Sequence, residues 1–219
     1  MGFAKGILLG GDGVVWVEPA DVVGSRYHGG SWFGRTLGKL ITWTPGKKKH
    51  EPDSHSMLFG DPPSSSRLIS AESGRVRLSD FVGQYLTSDY SVGVYRDTAL
   101  TRAERLRVAQ AAGRMLGRRY SKLTIAAHAL DTLLTIGGRT PYRRPVAKLV
   151  GKVDPGFICS EVVAYAYWHG AGRSFLRFGT RDPIPWWCCR PRDISWTVRL
   201  EEWKLIHQTT HGVAVDVDG

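Results

Sequence analysis

Asp154-Pro155-Gly156-Phe157-Ile158-Cys159-Ser160-Glu161-Val162-Val163-Ala164-Tyr165-Ala166-Tyr167-Trp168 is the stretch on which the fold of this chain turns. The Asp-Pro-Gly is a turn signal. After it, Cys159, Val162, Val163, Ala166 and Tyr167 recur at i, i+3, i+4, i+7 and i+8, which is one face of a helix. Gly170 and Gly172 stop that helix. Cys159 therefore falls in the first turn of a helix packed on a core. Unpaired backbone N–H groups and the helix dipole favour an anion there. A thiol so placed loses its proton more readily and becomes nucleophilic, and the same N–H groups suit an oxyanion. The competing reading is a small core cysteine, since free cysteine is often buried. The helix position alone does not separate the two.

Two upstream strands supply candidates for a base and its partner. Ser54-His55-Ser56-Met57-Leu58-Phe59-Gly60-Asp61 reads as a strand over 54–59, ended by Gly-Asp-Pro-Pro. Side chains alternate along a strand, so His55, Met57 and Phe59 share a face. Arg67-Leu68-Ile69-Ser70-Ala71-Glu72 reads as the next strand, antiparallel to the first across the Pro-Pro-Ser-Ser-Ser link at 62–66. Glu72 on this neighbour could hold one ring nitrogen of His55 and leave the other facing Cys159, the arrangement of nucleophile, base and orienter. Taken singly, His55 also fits a structural core histidine, and Glu72 an exposed carboxylate at a strand end.

Together these segments resemble a family. Ser31-Trp32-Phe33-Gly34-Arg35, then Leu40-Ile41-Thr42-Trp43, Ser54-His55, a Glu in the following strand, and Phe157-Ile158-Cys159-Ser160-Glu161-Val162-Val163-Ala164-Tyr165-Ala166 are similar to the circularly permuted NlpC/p60-like branch of the papain-like cysteine hydrolases. That branch includes the YiiX-like amidases and is related to the lecithin:retinol acyltransferase group. In it the histidine strand precedes the cysteine helix, as here. The resemblance runs from about Val14 to Trp196. It implies a catalytic triad of Cys159 as nucleophile, His55 as base and Glu72 as the polar residue that orients His55.

The chain also departs from the small members of that branch. A long stretch separates Glu72 from Cys159. It holds a helix at about 101–116, opened by the capping-box pattern Thr101-x-x-Glu104, and a second at about 122–136. Gly117-Arg118-Arg119-Tyr120 resembles the glycine-then-tyrosine turn that precedes the cysteine segment in the branch. The basic loop Arg139 to Pro145 is placed by neither pattern nor resemblance.

Composition is that of one ordinary globular domain: 219 residues, 42% hydrophobic. The expected architecture is α+β, a permuted papain-like (NlpC-like) fold. A small antiparallel sheet or half-barrel, with strands near 13–17, 54–59, 67–72, 75–78, 91–96 and 195–200, packs on the helix carrying Cys159. The domain spans 1–219, with a helical insertion at about 101–150 and a polar C-terminal tail from about 207. The loop from about 24 to 52 leads into His55 and is expected to wall the cleft. No apolar run is long enough for a membrane span. The opening Met1 to Asp12 is too short in its apolar part for a secretory signal, and Gly6 misses the Ser/Thr of a myristoylation signal. Synthesis in the cytoplasm is expected.

Three cysteines make no disulfide framework. The adjacent Cys188 and Cys189 read as reduced packing residues. His207 and His211 stand at i, i+4 without the intervening Glu of a metalloprotease helix, so no metal and no cofactor is expected. Thirty Lys and Arg against 20 Asp and Glu give a net charge of +10, clustered at Lys47–Lys49, Arg114–Arg119 and Arg139–Lys152. Such patches draw anionic partners, here a cell-wall polymer, an acidic lipid or nucleic acid, or else form a solvated basic surface with no dedicated partner. Nucleic-acid signatures are missing. Of the eight Trp residues, Trp32, Trp43, Trp186 and Trp187 suit either a glycan- or acyl-binding groove or the core.

The function expected from the resemblance is cysteine hydrolysis of an amide bond, in peptidoglycan peptides or a related acyl-amide. A lipid acyltransferase or phospholipase on the same triad is the alternative within the enzyme class. A composition rich in Arg, Gly, Ala, Val and Asp suits a GC-rich bacterial or phage genome. It opens a reading of another class, a virion-associated component of a phage tail or similar assembly, with a wall-degrading or inactive hydrolase domain.

Overall fold

The computed structural model describes residues 5–8, 14–28, 54–60, 67–72, 74–134, 146, 149–150, 156–176, 181–210 and 213–214. The described chain is α+β. Strands β1 (Lys5–Leu8) and β2 (Val14–Val17) pair antiparallel with each other. The main sheet is formed by β3 (Val22–Tyr27), β4 (His55–Phe59), β5 (Arg67–Ala71), β6 (Val76–Asp80), β7 (Tyr90–Asp97), β8 (Trp203–Thr210) and β9 (Val213–Ala214), in the order β6-β5-β4-β3-β7-β8-β9. Every neighbouring pair in it is antiparallel.

Alternation along the central strands feeds two apolar clusters, one on each face. Val22, Leu58, Ile69 and Ala71 meet Val108, Ala112, Val162, Val163 and Ala166 from two helices. Those helices are α1 (Arg102–Gly113) and α3 (Cys159–Ala171). On the opposite face Val23, Met57, Phe59 and Leu68 pack on Phe81 and Tyr85 of a π-helical turn, Phe81–Tyr85. The reciprocal cap expected at Thr101 forms, with Thr101 N donating to Glu104 Oε2 at 2.8 Å and Glu104 N to Thr101 Oγ1 at 3.3 Å. A second helix of the same stretch, α2, spans Lys122–Leu134.

The approach of α1 to α3 depends on Gly170. A Cβ built there would lie 2.4 Å from both N and Cα of Val108, so a side chain cannot enter without parting the helices. Polar groups then tie α1 and α3 to the sheet. The fully buried Asp21 accepts from Arg96 Nε at 2.9 Å and Nη2 at 2.6 Å, and Arg105 Nη1 lies 3.4 Å from it. Tyr167 of α3 donates to Ala20 O at 2.8 Å.

Three expectations need correction. The segment 195–200 is not a strand: Pro191–Thr197 forms helix α4. Its alternating Ile194, Trp196 and Val198 resemble a strand, but Ile194 and Val198 also stand at helical spacing and both are buried. Pro191 opens the helix, and Arg190 N donates to the Asp193 carboxylate at 2.9 Å. The last strand is instead β8, so residues 207–210 run within the sheet beside β7 rather than as a polar tail. Residues 24–27, read as loop, belong to β3; residues 29–53 of that loop lie outside the described residues.

Candidate functional site

Cys159 is the first residue of α3, and the segment before it is held by a narrow β-contact. Phe157 N donates to Arg119 O at 2.9 Å and Ser121 N donates to Phe157 O at 3.0 Å. Gly156 makes this approach possible, since a Cβ there would stand 2.9 Å from Ser121 Cβ and 3.0 Å from Ser121 N. Phe157 stacks on Trp186 with centroids 5.6 Å apart, and Tyr165 meets both rings edge-on. At the helix start, Ile158 N donates to Glu161 Oε2 at 3.1 Å, a side-chain cap by a carboxylate that the helix dipole favours.

The Cys159 side chain is buried and its thiol is free. Backbone N–H groups of Ser56, Ser160 and Cys159 itself are near enough to hydrogen-bond its sulfur. Ser56 is the residue after His55. The β4–β5 ladder pairs at Leu58↔Ile69 and Phe59↔Leu68 and does not continue to Ser56. The helix start thus meets the sheet where β4 and β5 stop pairing. Alternation puts the His55 side chain on the Met57 and Phe59 face, whereas Cys159 belongs to the cluster on the other face. The two side chains thus stand on opposite faces of the sheet, linked through the Ser56 backbone next to His55, and no hydrogen bond joins sulfur to ring among the described residues.

His55 Nε2 lies 2.7 Å from Ser70 Oγ. The ring also stacks on Tyr85, with centroids 6.3 Å apart and planes 19° from parallel. Glu72, expected to hold the ring directly, is one step further on. Its Oε1 accepts from Tyr85 OH at 2.9 Å, Ser79 Oγ at 2.5 Å and Gln84 Nε2 at 3.4 Å, and its Oε2 pairs with Arg77. Ser70 and Tyr85 therefore stand between the imidazole and the carboxylate. Neither was anticipated from the sequence. Ser70 carries a legible signal, since it shares its strand and face with Glu72, but Tyr85 comes from the π-helical turn.

Electrostatics keep both candidate reacting groups neutral at rest. Burial pushes the Cys159 thiol up to about 11; the surrounding N–H groups oppose this, and the Glu161 charge adds to it. Burial pushes His55 down to about 4, against the pull of the Glu72 charge. Burial acts to raise the Glu72 carboxyl as well, but donation from Ser79, Tyr85 and Arg77 outweighs it and holds the group below its usual range. Glu72 is thus a firmly ionised carboxylate whose charge His55 feels.

Other expected features are placed as follows. Cys188 and Cys189 are buried and form no disulfide, and Cys189 O accepts from Ser160 Oγ at 2.7 Å, so they pack beneath the start of α3. Trp186 is half-buried in the aromatic cluster and Trp187 is exposed. His207 is buried in β8. Trp32, Trp43, Lys47–Lys49, Arg139–Pro145 and His211 lie outside the described residues. Among the described residues, no three His, Cys, Asp or Glu side chains form a group that could hold a metal ion, and no helix is long and apolar enough to cross a membrane.

No protein-family model matches this chain, and no curated protein matches it. Among solved structures, the chain is similar to the crystal structure of metalloprotein yiiX from Escherichia coli O157:H7. The likeness has a TM-score of 0.46 and 18% sequence identity, over 72% of this chain and 68% of that one.

Proposed function

We propose that this protein is a cysteine hydrolase of permuted papain-like architecture that cleaves an amide bond, with Cys159 as nucleophile and His55 as base. The observation that carries the reading is the meeting of the α3 start with β4. The Cys159 sulfur faces the Ser56 N–H one residue from His55, and the far ring nitrogen of His55 is held by Ser70. With Nε2–H donating to Ser70, the lone pair rests on Nδ1, the nitrogen available to a thiol. Ring and sulfur are not hydrogen-bonded at rest, so the reading requires them to come together in the substrate complex, where catalytic hydrogen bonds tighten.

The reaction runs through two half-steps. The Cys159 thiol passes its proton to His55 as sulfur attacks the carbonyl carbon, forming the C–S bond and an oxyanion. Helix-start N–H groups stabilise that oxyanion. His55 then gives the proton to the leaving nitrogen, the C–N bond breaks, and a thioester remains. Water, deprotonated by His55, attacks the thioester; the C–S bond breaks and the proton returns to sulfur. Glu72 contributes through its charge, with Ser70 and Tyr85 as the groups between it and the ring. The third position of the expected triad is thereby Ser70 by contact and Glu72 by charge.

The leading substrate is an amide of a peptidoglycan stem peptide or a related acyl-amide. Lipid acyl transfer on the same groups is the second reading. The test is digestion of purified bacterial cell wall and, in parallel, of acyl-amides and phospholipids, by wild type and Cys159→Ala, read by mass spectrometry. Products from wild type alone establish the hydrolase and name the bond. Products from neither protein on any substrate contradict it.

A further inference from the structure

Arg75 and Arg119 face each other directly across an antiparallel bridge, and both are exposed. Like charges in that position repel. The turn that creates the contact is firmly held: Val76 N donates to Arg118 O at 2.8 Å, Gly117 N to Val76 O at 2.9 Å, and Tyr120 N to Gly74 O at 3.0 Å. The repulsion is thus fixed into the backbone at the edge strand of the sheet. Arg118 and Lys122, also exposed, extend the positive field.

The segment that carries these cations also carries exposed leucines. Leu116, one residue before the turn, is 41% exposed, and Leu123, in the first turn of α2, is 50% exposed. Cations at the level of exposed leucines are the pattern of a surface that sits at a lipid interface, where leucine enters the acyl boundary and arginine meets the phosphates. A soluble anionic polymer would engage the arginines alone, a difference that the leucine substitutions below read out. The face also adjoins the candidate site. Tyr120, between Arg119 and Lys122, bridges to Phe157, two residues from Cys159.

We propose that this face, formed by Arg75, Leu116, Arg118, Arg119, Lys122 and Leu123, docks the protein on an anionic phospholipid surface. The docking does not depend on Cys159 being a nucleophile. It brings the start of α3 close to the bilayer, where an acyl-bearing substrate would be met.

The experiment is co-sedimentation of the full chain with vesicles of phosphatidylglycerol mixed into phosphatidylcholine, and with phosphatidylcholine alone. It uses wild type, the double charge reversal Arg75→Glu/Arg119→Glu, and Leu116→Ser/Leu123→Ser, each first checked for native circular dichroism. Wild type should bind the anionic vesicles, and bind less as salt is raised. The charge reversal should weaken binding by about tenfold or more, the order expected of two or more surface charges near an anionic leaflet. The serine pair should weaken it severalfold with its charge unchanged. No binding to anionic vesicles overturns the proposal, as does binding that neither variant reduces. Binding lost in the arginine variant, kept in the serine variant and competed away by soluble polyphosphate would also overturn it, making the face a polyanion site.

Discussion

His55 Nε2 is paired with Ser70 Oγ at 2.7 Å, while Glu72, whose charge the ring feels, bonds to Tyr85, Ser79, Gln84 and Arg77 instead. Ser70 is therefore a positioning residue in the proposed reaction. Ser70→Ala should lower kcat by about tenfold to a hundredfold, below the 10²–10⁴ that a general base supplies, and leave KM nearly unchanged. Ser70→Thr, which keeps the hydroxyl, should recover most of the loss. An equal fall in both Ser70 variants, with KM rising in step, would mean that the strand and not the hydrogen bond had been disturbed.

The state of the thiol can be read without a substrate. With Cys159 pushed up to about 11 and His55 down to about 4, no thiolate–imidazolium pair exists at neutral pH. Alkylation of Cys159 by iodoacetamide, followed by peptide mass spectrometry, should quicken steadily as pH rises through 9 and level off only near 11. Glu161→Gln removes a charge that raises the thiol, so the profile should move to lower pH. A rate already level at neutral pH would show a preformed ion pair and contradict the neutral resting state.

Burial of His55 also predicts an acid dependence of stability. The imidazole is held at about 4 against its ordinary 6.5. Between these values the unfolded chain binds a proton that the folded chain refuses. This contribution is full above about 6.5 and is lost as pH falls toward 4. One such group has a slope of at most about 1.4 kcal/mol per pH unit, and less for a half-buried ring. Urea unfolding of wild type and His55→Gln should give stability curves that converge as pH drops through this window. The difference between the two proteins isolates His55 from Glu72, whose lowered carboxyl pKa acts in the same direction. Curves that stay parallel would refute the burial of the neutral ring.

Gly170 carries the contact of α1 with α3. Gly170→Ala sets a methyl group against the Val108 backbone and should destabilise the fold by about 1–3 kcal/mol, the usual cost of overpacking. Chemical denaturation measures it directly. A change within error would mean that the helices part freely, and that the Cys159 end of α3 is not fixed by this crossing.

The elements nearest the site were legible because their signals are local. The periodicity after Gly156 predicts α3, alternation predicts β4 and β5, and Thr101-x-x-Glu104 predicts the start of α1. The partner of His55 was not legible, because it depends on how far the β4–β5 ladder continues, which no local pattern announces. Tyr85 enters from a π-helical turn that no alternation or helical period announces. The pattern Ile194, Trp196, Val198 fits a strand and a short helix equally well, and burial of Ile194 with Val198 beneath a proline start decides for the helix. Strand β3 was hidden by Gly24 and Ser25 in its middle, since its core contribution rests on Val22 and Val23.

The central claim is that Cys159 takes an acyl group with the help of His55. Incubation with an activated acyl ester, followed by rapid acid quench and peptide mass spectrometry, tests it most directly. The account predicts an acyl group on the peptide containing Cys159, formed about 10²-fold or more slowly in His55→Ala and not at all in Cys159→Ala. Acylation of Cys188 or Cys189 in its place, or a Cys159 adduct that forms equally fast without His55, would contradict it.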